Sequence, residues 1–93
     1  MVIACIPNAI PNRPRYNELR QKLRAAIITK EAETWHLDHT RITLTETAEW
    51  IDMERRCCPF LKFNLETNNG PGHRLTMTGP EGTADFLQHE FES

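Results

Sequence analysis

No apolar stretch of this chain approaches the roughly 18 residues that a bilayer-crossing helix needs. A secretory leader is also not evident: Met1 to Ile6 is apolar, but it lacks a basic lead, and Pro7 and Pro11 interrupt it. The expected location is therefore the cytoplasm. Cysteine is scarce and odd in number, with three residues, which suits a reducing compartment better than a secreted disulfide framework. A bond between the neighbours Cys57 and Cys58 is sterically poor, because adjacent Cα atoms lie about 3.8 Å apart, inside the usual lower limit of about 4.4 Å for a disulfide. Basic charge is not in excess: the net charge is −2 and the isoelectric point near 6.1, which gives a nucleic-acid partner little support. All four glycines fall in Asn68-Asn69-Gly70-Pro71-Gly72 and Thr78-Gly79-Pro80-Glu81-Gly82. Neither segment matches a phosphate-cradling or dinucleotide spacing, and both read as turn and helix-start chemistry.

What is present describes one ordinary globular domain. Hydrophobic residues make up 39% of the 93 and charged residues 26%, a balance that forms a core without a metal or disulfide staple. The charges are unevenly spread. Residues 1–30 carry six basic groups and one acid, residues 31–54 one basic group and seven acids, and the remainder four against five. Opposite signs in the head and the middle either orient a partner or let the basic first helix lie beside the acidic second one, the commoner meaning of such patterning.

Periodicity predicts the elements. Val2–Ile6 is a short β-prone run ended by Pro7. Tyr16, Leu19, Leu23 and Ile27 recur at three- and four-residue intervals, an amphipathic helix with Pro14 in its first turn and Asn12 as a cap. Residues 33–38 alternate, with Trp35 and Leu37 on one face and His36 on the other. Thr43 and Glu46 have capping-box spacing, so a second helix runs from there to Pro59, burying a stripe of Leu44, Ala48, Ile51 and then Arg55 or Cys58, widened by Trp50, Met53 and Cys57. Leu61, Phe63 and Leu65, then Leu75 and Met77, read as an antiparallel hairpin around Asn68–Gly72. A third helix is expected to start at Gly79-Pro80-Glu81-Gly82, with Pro80 in its first turn and Phe86, Leu87 and Phe91 buried. The predicted fold is α+β: a single domain over residues 1–93, β-α-β-α-β-β-α, with a three- or four-stranded, largely antiparallel sheet packed by helices.

The segment Glu54-Arg55-Arg56-Cys57-Cys58-Pro59-Phe60-Leu61 carries the chemistry-bearing residues. Thiolates prefer soft or borderline ions such as Zn²⁺ and Cu⁺, and Cys5 is a candidate third sulfur. Adjacent cysteines on a helix diverge by about 100°, so only the break at Pro59 brings them round to one ion. They also sit at a helix C-terminus, where the dipole opposes a thiolate, while Arg55 and Arg56 favour one. Cys58 with Glu54, or with His36 from the neighbouring strand, is the one combination resembling a nucleophile and base, and Glu54 is expected to pair with Arg55 or with basic groups on the first helix.

Glu54–Leu61, then Phe63 and Leu65-Glu66, then Leu75 with Thr78–Gly82 and Phe86-Leu87, resemble a group of small bacterial proteins that share an "ERRCCPF" signature. The resemblance covers the last 40 or so residues, with Cys5, the first helix and the Trp35 strand corresponding more faintly. Members often have a glycine just before the aromatic of that strand, where this chain has Glu33-Thr34-Trp35. The resemblance implies a compact α+β fold in a bacterial cytoplasm, and it supplies no activity. The leading reading is thus a non-enzymatic domain acting through a protein-interaction surface, on a partner or as a homodimer, with Cys57 and Cys58 structural. The alternative is a soft-metal binder, for Zn or Cu, or a redox sensor, using Cys5, Cys57 and Cys58.

Overall fold

In the computed structural model, which describes residues 9–31, 33–67 and 72–91, the first described helix or strand is helix α1 (Arg13–Ala26). Its start follows the predicted logic: the Asn12 side chain accepts the Arg15 backbone N–H at 3.2 Å, and Pro14 occupies the first turn, where no helical donor is lost. Its end does not. Ile27 leaves the helix in an extended conformation and opens strand β1 (Ile27–Glu31), which the α1 periodicity had absorbed into its last turn. Strand β2 (Thr34–Asp38), helix α2 (Leu44–Cys57), strands β3 (Lys62–Thr67) and β4 (Gly72–Thr78), and helix α3 (Thr83–Phe91) follow. The strand expected at Val2–Ile6 lies outside the described residues, as does most of the Asn68–Gly72 link.

The four strands form one antiparallel sheet in the order β1-β2-β4-β3. Trp35 faces Leu75, and Leu65 faces Leu75 from the other side, so one face of the sheet is apolar across its width. That face collects the helices. Tyr16, Leu19 and Leu23 of α1, Trp50, Met53 and Cys57 of α2, and Leu87 of α3 join Trp35, Leu37, Leu75 and Met77 in a single core. Trp50 meets Phe63 edge-on at 6.2 Å between centroids, a geometry that aligns ring edge with ring face. The opposite face carries Thr34, His36, Arg74, Thr76, Lys62, Asn64 and Glu66, half-buried or exposed. The register of β1 against β2 shifts between Ile27 and Thr29, a bulge that turns the outer strand.

The opposed charges of head and middle meet as expected. Arg15 holds Glu49 through Nε at 2.8 Å and a second guanidinium nitrogen at 3.0 Å, and Lys22 reaches Glu46. Glu46 is also the acidic half of the predicted capping box with Thr43. The buried face of α2 differs from expectation, however. Leu44 is 41% exposed and Ala48 is exposed, whereas Thr47, Trp50, Met53, Glu54 and Cys57 are buried. Trp50 and Met53 take the centre of the buried face because they are large and lie over the sheet, which a leucine in the first turn does not reach. Helix α3 also starts later than expected. Pro80 lies in the preceding turn, where its carbonyl accepts the Thr83 backbone N–H and hydroxyl, and Gly82 takes the left-handed φ of 95° that reverses the chain into Thr83.

Candidate metal and thiol site

The site is built by how α2 ends. Cys57 is the last helical residue and Cys58 the cap, with φ −121° and ψ 76°. Proline forbids helical geometry in the residue before it, and Pro59 thus forces this departure. The Cys58 backbone N–H still donates to the Glu54 carbonyl at 2.7 Å, while Leu61 N–H closes a tight turn on the Cys58 carbonyl at 3.1 Å. The break brings the Cys58 side chain back over the preceding turn, where its Sγ lies 3.0 Å from Glu54 Oε1. One ligand atom each of Glu54, Cys57 and Cys58 then falls within 4.8 Å of the others, and all three residues are buried. Two sulfurs bound to one ion at about 2.3 Å sit roughly 3.8–4 Å from each other, so this spread fits a shared ion after small rotamer shifts.

Glu54, which the sequence set beside Cys58 as a base, here stands as a third donor with the two sulfurs. Only 1% exposed, it accepts the Tyr16 hydroxyl from α1 on Oε2 at 2.5 Å. Burial is the main cause that pushes the Tyr16 phenol far above its ordinary range; the Glu54 charge and this hydrogen bond push it the same way, and Arg20 opposes them. The phenol therefore stays a donor. Burying a carboxylate costs several kcal/mol before compensation, and the negative end of the α2 dipole adds to the cost.

The two described cysteines differ in state. Cys57 keeps its thiol and is buried, and Cys58 is disulfide-bonded. Cys5, the chain's remaining cysteine, lies outside the described residues. At 3.0 Å a Cys58 thiol would donate S–H···O to Glu54, but the disulfide sulfur carries no proton, so this contact changes character with redox state.

Compared with family models, with curated proteins and with solved structures, the chain matches none. The reading of the site therefore rests on its own geometry.

The other predicted residues go elsewhere. Arg55 and Arg56 are exposed and turn to Asp52, Arg55 at 2.8 Å and Arg56 at 3.6 Å, so neither pairs with Glu54. His36 is on the polar face of the sheet, where with Thr29, Glu66, Thr67, His73 and Arg74 it lines a hollow of about 450 Å³. It does not join the Glu54, Cys57 and Cys58 group, so the cysteine–histidine pair of a nucleophilic enzyme is not assembled there. Tyr16 was read only as part of an apolar stripe. The signal for its role was that it is the chain's single tyrosine, set on the buried face of a helix that packs against α2.

Proposed function

We propose that this domain binds a soft or borderline metal ion, Zn²⁺ or Cu⁺ in class, through Glu54, Cys57 and Cys58. The observation that carries this reading is the buried group of one carboxylate and two sulfurs within 4.8 Å. A purely structural role explains buried cysteines well, since they pack as small hydrophobes. Packing alone does not call for a carboxylate beside them, at a helix end where burial and the dipole act against its charge and the Tyr16 hydroxyl acts for it. A bound cation offsets both. Tyr16 would hold Oε2 and so aim Oε1 toward the ion, the kind of outer-shell support that typically contributes about 10–100-fold to metal affinity. The expected setting is a reducing cytoplasm, in which both sulfurs are thiols and each loses its proton on binding.

The test is titration of fully reduced protein with Zn²⁺ against a chromogenic chelator, and with Cd²⁺ followed by its thiolate charge-transfer absorption. One ion per chain is expected, with at least about tenfold weaker binding in Glu54→Gln and in Cys57→Ser. Absence of stoichiometric binding, or binding indifferent to both substitutions, returns the cysteines to a packing role. The domain would then be one that acts through its exposed polar sheet face on a protein partner or a second copy.

A further inference from the structure

We infer that the redox state of Cys58 switches this ion site on and off, an inference that rests on the metal-binding reading above. Three observations support it. Cys58 is disulfide-bonded while its neighbour Cys57 keeps its thiol, so the two sulfurs of one site are in different oxidation states. The Cys58 sulfur lies 3.0 Å from Glu54 Oε1, where it is the third corner of the ligand group. The whole group is buried at a helix end closed by a tight turn, so no exposed cysteine of the described residues can substitute for it.

The chemistry follows from what a sulfur can donate. The thiolate is the metal ligand, and a sulfur already bonded to another sulfur carries no charge to share with a cation. In the disulfide state the described site offers Glu54 and Cys57 alone, too few donors for a stable ion. A dithiol reductant changes this. Its first thiolate attacks the disulfide and displaces one sulfur as a thiolate; its second thiol then attacks the mixed disulfide and releases the other. The dithiol becomes a cyclic disulfide, having given up two electrons, and the protein gains two thiols whose sulfurs carry the dithiol's two protons. The new Cys58 thiol donates to Glu54 Oε1, and an arriving divalent ion replaces that proton and the one on Cys57. An oxidised dithiol, such as the cyclic disulfide just formed, reverses the order by taking two electrons and two protons from the protein thiols: a bound ion protects Cys58, and loss of the ion exposes it to this exchange.

The two states also differ in what they do to Glu54. Reduction gives the buried carboxylate an S–H donor that the disulfide cannot supply, and a hydrogen bond to a charged acceptor favours the state in which it forms. The buried acid therefore makes the disulfide easier to reduce than a disulfide in apolar surroundings. Replacing Glu54 by glutamine, which weakens that preference, should shift the disulfide toward the oxidised side.

The experiment compares the same protein in two states: one oxidised and one reduced with a dithiol then desalted anaerobically. Alkylation and peptide mass spectrometry confirm that Cys58 is labelled only after reduction. Each sample is titrated with Cd²⁺. The expected result is one ion per reduced chain and at least about 100-fold weaker binding to oxidised chain. Equal binding by both states overturns the switch and leaves the metal reading standing. No binding by either overturns the metal reading, and the switch with it. Because Cys58→Ser removes ligand and disulfide together and can disturb packing, the second measurement is the thiol–disulfide equilibrium against a dithiol buffer series in wild type and Glu54→Gln. A midpoint unmoved by Glu54→Gln refutes the role given to the carboxylate.

Discussion

Replacing Tyr16 by phenylalanine tests the energetics of the site apart from any ion. The Tyr16 ring is 2% exposed and packed in the core, so the substitution removes one oxygen and leaves the apolar contacts in place. What is lost is the hydroxyl that donates to Glu54 Oε2, on a carboxylate only 1% exposed. A hydrogen bond to a charged group contributes about 1.5–3 kcal/mol, and water cannot enter freely to replace it. We expect a loss of about 2 kcal/mol, which for a domain of this size lowers Tm by roughly 8–16 °C. Urea and thermal unfolding followed by the fluorescence of the fully buried Trp35 and Trp50, under reducing conditions, gives the number. The same substitution in a Glu54→Gln background isolates the charge. A glutamine oxygen still accepts the phenol, but as a neutral bond of about 0.5–1.5 kcal/mol, so Tyr16→Phe should cost less there. A cost within about 0.5 kcal/mol of zero, or one equal in the two backgrounds, refutes the claim that Tyr16 stabilises a buried negative charge.

Three further outcomes are expected. His73 Nε2 lies 2.8 Å from the Thr47 hydroxyl, which itself donates to the Thr43 carbonyl, so the imidazole Nε2–H donates to that hydroxyl. Burial first, and His39 second, lower its pKa below the ordinary 6.5. The unfolded chain then takes up a proton more readily, so stability is full above about pH 6.5 and falls as pH drops below it; urea midpoints across pH 5–7.5 should show this slope, and His73→Gln should flatten it. Thr43→Ala removes one half of the capping box and should cost about 1 kcal/mol in urea unfolding without moving the native spectrum. Gly72→Ala would place a Cβ 2.4 Å from the Leu37 carbonyl oxygen, on backbone that cannot swing aside, and should cost about 1–3 kcal/mol and loosen amide-exchange protection at the β2–β4 ladder.

Much of the architecture was legible because the signals were periodic or local. Residues 33–38 and the hairpin strands showed clean alternation, and Asn12, Thr43 and Glu46 announced helix starts by side-chain chemistry. Strand β1 was not legible, because Ile27 completes the α1 stripe and the β-branched residues Ile27, Ile28 and Thr29 were too short a run to argue against it. The α2 stripe was misplaced because Leu44 was counted as core, although a first-turn residue reaches little of the sheet. The site suffered from a sound general rule. Carboxylates are rarely buried, so Glu54 was expected to pair with Arg55 or with basic groups on the first helix, and only the packing of α1 against α2 shows that it faces Tyr16. Asp52, not Glu54, meets Arg55 and Arg56 because it points outward one turn before them.

The bulge in β1 bears on how the molecule behaves in a crowd. Among the described strands, β1 and β3 are the outer ones, and an outer strand presents backbone groups that invite another chain to extend the sheet. In β1 the register break between Ile27 and Thr29 bends that template, and Lys30 and Glu31 put charges on it, with Lys30 held over the Trp35 ring at 5.4 Å. Lys62 and Glu66 do the same on β3. Both described margins are thus poorer templates for another strand than a flat, uncharged edge would be.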